Sequence, residues 1–331
     1  MELSEFNYDL PKELIAQRPA NPRTHSRLMI LHDDKIEHKK FYEIVEYFQK
    51  GDVLVLNETK VLKIKLVGKK ETGGKIELMI EEGREKKEEC TAILKGRAKV
   101  GNKILFEKNI TGIIEEKEEN KIKIKFNIPI EEVIKKIGKL PTPPYIKKEL
   151  KSDSEYQTVF AKKAGSFACP TSGLHFDDEL LRKLENKGVE FAKVCLHVSF
   201  DTFLPVECED LTKHQMHGEY CEVNKENVKI INSAKRLFVL GTTAMRTLES
   251  LSKTDGKIYA GNKITKIFIY PGYKFNLKYS GLITNFHLPK STLLMMISAF
   301  YGKEKIFSAY KIAVKEKYRF FSLGDAMFLI K

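Results

Sequence analysis

Apolar positions along this chain fall into three textures. Between residues 36 and 56, Phe41, Ile44, Val45 and Phe48 recur at helical spacing, a turn follows at Gly51-Asp52, and Val53 to Leu56 form an apolar run. That pattern predicts a helix leading into a short buried strand. From about residue 61 to 130 the period drops to two, in Lys63-Ile64-Lys65-Leu66, Lys75-Ile76-Glu77-Leu78 and Lys121-Ile122-Lys123-Ile124-Lys125-Phe126, with turns at Gly73-Gly74, Gly101-Asn102 and Glu119-Asn120. Alternation of this kind predicts half-buried antiparallel strands, and several short strands need closure to hide their edges, so a small barrel is expected. A short helix from Glu131 to Ile137 and the stiff segment Leu140-Pro141-Thr142-Pro143-Pro144-Tyr145 end this stretch.

The first texture then resumes. Residues 177–188 predict a helix with Asp177 or Asp178 as cap, Leu180, Leu181 and Leu184 inward and Gly188 as stop. Strands at 190–198, 236–240 and 264–270 alternate with helices near 225–235, 243–252, 291–300 and 304–316. The economical topology is an α/β main domain built from both chain ends, residues 1–60 and 150–331, with a small antiparallel β-barrel domain inserted at 61–149.

Composition narrows the class. Hydrophobic residues make up 42% of the 331 residues, with 20 Phe and 13 Tyr, which excludes global disorder. No apolar run reaches the length of a membrane span and Met1 to Glu5 lacks the layout of a signal peptide, so a cytoplasmic location is expected. The five cysteines are widely spaced without a C-x-x-C pair, which points to reduced thiols. Net charge is +13, of which +7 lies in residues 61–150. A basic barrel in a larger α/β body suits a polyanion such as nucleic acid, and a lysine-faced solvated sheet is the plainer alternative.

Four segments carry candidate chemistry. Gly165 to Phe176 is a loop of small residues and proline, ending in His175, that can approach a ligand closely. His214-Gln215-Met216-His217-Gly218-Glu219 offers two imidazoles on one face for a metal, His217 as a base oriented by Glu219, or simply a solvated loop; its spacing with Cys208 and Cys221 fits no common zinc module, which favours the acid/base reading over the metal. Phe238 to Arg246 reads as strand, small-residue turn and helix start, able to hold a carboxylate or phosphate through Thr242, Thr243 and Arg246. Thr284 to Thr292 crowds Asn285, His287 and Lys290 against an apolar helix capped by Ser291.

Together these motifs resemble a known family. Ala168 to Phe176, His214 to Glu219, Gly241-Thr242-Thr243 with Arg246 to Ser250, Ile267 to Tyr273, Leu282 to Leu294 and Tyr318 to Met327 are similar to the S-adenosylmethionine:tRNA ribosyltransferase-isomerases, as are Tyr8 to Pro11, Ile15 to Gln17, Arg27-Leu28 and Leu54 to Asn57. The likeness spans nearly the whole chain and is weakest in the insert. Cys169 and Ser172 stand where alanines are expected, and the stretch from His197 to Val206 departs further. The resemblance implies a monomeric, cytoplasmic enzyme of queuosine synthesis. Such an enzyme moves the ribosyl part of S-adenosylmethionine to a 7-aminomethyl-7-deazaguanine at the tRNA wobble position and isomerises it to epoxyqueuosine, releasing adenine and methionine. S-adenosylmethionine is then a consumed substrate and no cofactor is implied.

That chemistry assigns roles by residue type. His217 with Glu219 is the expected base, His175 the acid for adenine departure, and Lys290 the stabiliser of alkoxide charge. Thr242, Thr243 and Arg246 are expected to hold the methionine carboxylate, with Asn285 and His287 beside the substrate. Phe176, Tyr273 and Tyr145 are candidate platforms for an extruded base. Lys95, Arg97 and Lys99, at alternate positions of an expected strand, join Arg18, Arg23 and Arg27 as candidate phosphate contacts. The rivals are a non-catalytic RNA-binding protein and a metal hydrolase using His214 and His217.

Overall fold

The computed structural model describes residues 1–82, 88–199 and 208–331. It divides into two compact units, residues 1–60 with 143–331 and residues 61–142, so residues 143–149 fall with the larger one. In chain order the elements are β1 (Arg27–Leu31), β2 (Ile36–Lys40), β3 (Asp52–Asn57) and β4 (Thr59–Val61), then β5 (Lys65–Lys70), β6 (Lys75–Glu82), β7 (Glu89–Lys95), β8 (Lys103–Leu105), β9 (Thr111–Glu118), β10 (Lys121–Phe126) and α1 (Ile130–Ile137). They continue with β11 (Lys163–Ser166), α2 (Asp178–Asn186), β12 (Glu190–Leu196), β13 (Glu219–Val223), α3 (Lys225–Asn232), β14 (Arg236–Leu240), α4 (Thr242–Leu251) and β15 (Gly261–Thr265). The last are β16 (Gly281–Asn285), α5 (Thr292–Tyr301), α6 (Lys303–Lys315) and β17 (Ala326–Ile330).

The larger unit is built on a nine-stranded sheet of order β15-β13-β12-β3-β14-β16-β17-β1-β2. β12, β3, β14 and β16 are mutually parallel, β17 runs antiparallel to β16, and β1 pairs in parallel with β17. The last strand of the chain therefore joins the first hairpin to the rest. Both faces of the central strands are covered, which explains their continuous apolar runs. Val53 and Val55 of β3 face a core shared with Met245 of α4 and Ile306 of α6, whereas Leu54 and Leu56 face Phe41, Ile44 and Leu180 on the other side.

The smaller unit is a closed six-stranded antiparallel barrel of order β10-β7-β6-β5-β8-β9. Its alternation is the one expected: Ile76, Leu78 and Ile80, and Ile122, Ile124 and Phe126, are buried, with Glu77, Met79, Lys123 and Lys125 between them. α1 follows it with Ile130 and Val133 buried.

Side-chain caps begin three of the six α-helices among the described residues. Asp177 accepts the Leu180 N–H, Asn224 the Asn227 N–H and Ser291 the Leu294 N–H. Gly188, with φ of +87°, turns the chain after α2.

Two expectations are corrected. The helix predicted over the first part of 36–56 is instead the edge strand β2, paired with β1, followed by a 3-10 helix at Phe41–Tyr47; its three-residue turn places Phe41 and Ile44 on one face as an α-helix would. The strand predicted at 264–270 stops at Thr265, because the Thr265 hydroxyl takes the Ile267 N–H, which leaves the ladder.

One buried carboxylate organises the irregular stretch before β16. Glu249 of α4 is 3% exposed and accepts from Tyr273 Oη at 3.1 Å, Asn276 N at 2.9 Å and Tyr279 Oη at 2.5 Å. An amide there would turn a donor toward these donors. Glu249→Gln should therefore lower the unfolding free energy by about 2 kcal/mol. Urea unfolding should show a lower midpoint with an unchanged slope.

Candidate active site

A pocket lies where the parallel strands end, the edge at which open α/β sheets place ligands. Asn57, the last residue of β3, ties this edge together. Its Oδ1 accepts from Thr59 N at 3.2 Å and Leu196 N at 3.1 Å, and its Nδ2 donates to Leu196 O and Thr243 Oγ1, both at 3.1 Å. All four bonds of the amide are used. The end of β12 is thereby fixed against the start of α4.

β14 leads through Gly241 into α4. Gly241 has φ of +86°, and a Cβ there would sit 3.3 Å from Ser172 Oγ, so the turn favours glycine on both counts. No capping side chain covers the helix start. Its first-turn N–H groups and the Thr242 and Thr243 side chains thus form one wall of the pocket. β16 supplies Asn285 and, just beyond it, His287 on another wall. Cys169, Pro170 and Thr171, at the entrance to a further 3-10 helix (Thr171–His175), line it together with Tyr145, Phe321 and Ser322.

Of the residues predicted from sequence, Thr242, Thr243, Asn285, His287 and Tyr145 meet in this pocket. His175 supports it from behind. Its Nδ1 lies 2.7 Å from Ser26 Oγ, its Nε2 3.2 Å from Asn285 Nδ2, and its ring stacks on Phe41 at 4.8 Å. Asn285 Nδ2 also donates to Phe321 O, which fixes the amide; Nε2 of His175 is then the acceptor and Nδ1 the donor to Ser26. Burial lowers its pKa to about 4, with Arg319 and Arg23 pushing the same way against Asp325. A neutral ring with both nitrogens engaged is a positioning group for Asn285 rather than the expected acid.

Arg246 and Glu219 also find a different arrangement. They form a buried ion pair, and Ser199 N donates to the second carboxylate oxygen of Glu219 at 2.9 Å. Glu219 thus serves Arg246 and the Ser199 backbone, while His217 is exposed. Arg246 Nε and Nη2 find no hydrogen-bond partner among the described residues. The guanidinium is 4% exposed, one helical turn beneath Thr242 on the same face.

The remaining candidates separate from the pocket. Phe176 is fully buried, edge-on to Phe41 in the core, so it offers no face to a base. Tyr273 spends its hydroxyl on Glu249, and Lys290 is exposed with a left-handed φ of 56°. His214 is half-buried with its ring edge-on to Phe268.

Comparison with known proteins agrees with this site's setting. Residues 3–329 match the family described as "Queuosine biosynthesis protein". The chain belongs to the queuosine biosynthesis family. It is 46% identical, over 99% of its length and 96% of theirs, to the S-adenosylmethionine:tRNA ribosyltransferase-isomerase of Fusobacterium nucleatum. It is 47% identical, with both chains fully covered, to the enzyme of that name from Desulforamulus reducens. Among solved structures, an S-adenosylmethionine tRNA ribosyltransferase from Thermotoga maritima shares 34% identity, with 98% of this chain and all of that one covered and a TM-score of 0.57.

For this queuosine-family chain the expected phosphate contacts need correction. Arg18 pairs with Glu155 at 2.7 Å, Arg23 donates to the carbonyls of Ser154, Gln157 and Phe176, and Arg27 donates to Glu316 O while lying 3.7 Å above the Tyr318 ring. These three arginines are tied into the fold. In the barrel, β7 ends at Lys95; Gly96, at φ of +125°, turns the chain, so Arg97 and Lys99 are exposed on the following loop rather than on a strand face. Lys95 shares Glu77 with Lys65 and Lys75. Among the described residues no group of three His, Cys, Asp or Glu could hold a metal, and no helix is long and apolar enough to cross a membrane.

Sequence reasoning missed Ser26, Asn57 and Thr284. Asn57 carried a signal, a polar residue ending the apolar run Val53 to Leu56. Ser26 carried none, since its partner His175 lies 149 residues away.

The buried imidazoles set a pH dependence. A histidine whose folded pKa is lowered binds its proton more readily in the unfolded chain, so stability is full above pH 6.5 and falls as pH drops toward 4. His175 alone accounts for about 3 kcal/mol over that window. Urea unfolding of the wild type should weaken steadily from pH 7 to 4.5, and His175→Gln should show a shallower slope. Equal slopes would mean that His175 titrates alike in both states.

Proposed function

We propose that this chain transfers and isomerises the ribosyl part of S-adenosylmethionine onto a 7-aminomethyl-7-deazaguanine at the tRNA wobble position, releasing adenine and methionine. The reading rests on one observation above the others: residues from several of the family's motifs, scattered from Asn57 to Ser322, line or brace a single pocket at the carboxyl edge of the sheet. In it the methionine carboxylate lies at the uncapped start of α4, held by Thr242 and Thr243 and by the positive end of the helix. The Arg246–Glu219 pair beneath them braces that turn, with two guanidinium nitrogens, Nε and Nη2, in reserve for the amino-acid end. The ribosyl part extends toward Asn285 and His287. Tyr145, half-buried against Phe321 and bonded to Ser322, is the aromatic wall nearest an incoming base.

The chemistry needs a proton removed beside the sulfonium, departure of adenine and attack by an uncharged amine. No resident cofactor is required, because the sulfonium supplies the leaving group. The barrel contributes RNA affinity through Arg97 and Lys99, and the enzyme acts in the cytoplasm as a monomer. Adenine release on mixing with S-adenosylmethionine and tRNA bearing the deazaguanine is the direct test; a purely RNA-binding protein would bind without releasing it.

Two substitutions separate the substrates. Replacing both Thr242 and Thr243 by valine should raise KM for S-adenosylmethionine roughly tenfold and leave KM for tRNA nearly unchanged. Replacing Arg97 and Lys99 by alanine should weaken tRNA binding and flatten its salt dependence by about two charges, with little change in turnover at saturating tRNA. An unchanged salt slope would move the RNA contact elsewhere.

A further inference from the structure

His287 is held more tightly than its place in a loop requires. Its backbone N–H donates to Tyr310 Oη at 2.7 Å, and its carbonyl accepts from Tyr8 Oη at 2.5 Å. The two phenols meet edge to face, 5.0 Å between ring centres. Two side chains from opposite ends of the sequence thus bind the backbone of one residue, where a ladder or helix would ordinarily do so. Burial raises the pKa of both phenols, so both keep their protons.

The ring is fixed as well. His287 Nε2 lies 2.8 Å from Thr284 Oγ1, which is fully buried on β16 and has no other hydrogen-bond partner among the described residues. Were Nε2 to donate, the hydroxyl proton of Thr284 would be left buried and unpaired. With the hydroxyl donating to Nε2, the buried Thr284 proton is satisfied, so the proton of the neutral ring resides on Nδ1, on the side of the ring that faces the pocket. His287 lines the pocket, and its Nδ1 has no partner among the described residues.

From this geometry we infer that His287 is a catalytic hydrogen-bond donor, presenting Nδ1–H to the departing purine, with Thr284 setting its tautomer and Tyr8 and Tyr310 its position. The inference rests on the ribosyl-transfer reading of the pocket. As the glycosidic bond breaks, its electron pair stays on the purine; the Nδ1–H bond stabilises that charge, and the purine takes its proton from water. The imidazole remains neutral throughout. Burial, which lowers its pKa to about 3, is consistent with that and unsuited to a cationic acid.

The test uses side-chain geometry. Asparagine places an N–H near the Nδ1 position of histidine, and glutamine near Nε2. His287→Asn should retain at least about a tenth of wild-type kcat for adenine release, whereas His287→Gln and His287→Leu should lose roughly a hundredfold. Thr284→Val should lower kcat, and Thr284→Ser should restore it. Independently of activity, nitrogen NMR of histidine-labelled protein should show the His287 proton on Nδ1 in the wild type, and a mixture of tautomers in Thr284→Val. The signal is identified by its loss in His287→Asn, and thermal melts establish that each variant is folded. A proton on Nε2 in the wild type, or equal kcat for the Asn and Leu variants, overturns the role. A wild-type protein that releases no adenine instead overturns the ribosyl-transfer reading on which it stands.

Discussion

Four parallel strands, β12, β3, β14 and β16, end along one edge of the sheet, and the backbone groups released there must be satisfied by whatever the chain places above them. Asn57 does this for the end of β12 while also holding the Thr243 hydroxyl of α4, and Asn285 donates to Phe321 O on the other side. The pocket is lined by Asn285 itself and by Thr243, which Asn57 holds. Its far wall exists because β17 enters between β16 and β1, which brings Phe321, Ser322 and Asp325 back to the same edge. Asp325, 1% exposed, accepts from Arg27 N and from the backbone and side chain of Arg319. Both chain ends are therefore fastened at the site.

Legibility in the sequence followed the range of the interaction. α2, α4, α5 and α6 were readable because their apolar stripes are local, as are the caps of α2 and α5, and the barrel because its alternation is. Residues 36–48 were misread because Phe41, Ile44 and Tyr47 satisfy a 3-10 turn as readily as an α-helix, and β2 shows itself only by pairing with β1. Thr242, Thr243, Asn285 and His287 were identifiable because each sits at a strand end or helix start. The assignment of His175 failed for a different reason. A histidine in a loop of small residues can line a pocket or brace it, and only Ser26 and Asn285, both remote in sequence, decide which.

Charge shows the same distinction between local count and spatial arrangement. The insert carries much of the positive charge, yet Glu77 meets Lys65, Lys75 and Lys95, and Glu89 meets Lys123 and Lys125. Exposed pairs of this kind add little stability, but they neutralise the strand faces. Arg97 and Lys99, on a loop, form no ion pair among the described residues, so that turn joins Lys69, Lys70 and Lys103 on the strands as positive charge left unneutralised.

Among the described residues, no charged side chain lines the pocket. Its polar groups are hydroxyls, the amide of Asn285 and the imidazole of His287, with the Arg246–Glu219 pair enclosed below and internally balanced. The proposed substrate is a sulfonium cation, and a protonated imidazole within about 5 Å would oppose it by a few kcal/mol at the effective dielectric of a partly buried site. Burial, by holding His175 and His287 neutral through the physiological range, removes that repulsion. The helix end at Thr242 then meets the carboxylate of the same ligand rather than its cation. The desolvation that costs the protein stability at acid pH is thus also what makes the cleft compatible with a positively charged ribosyl donor.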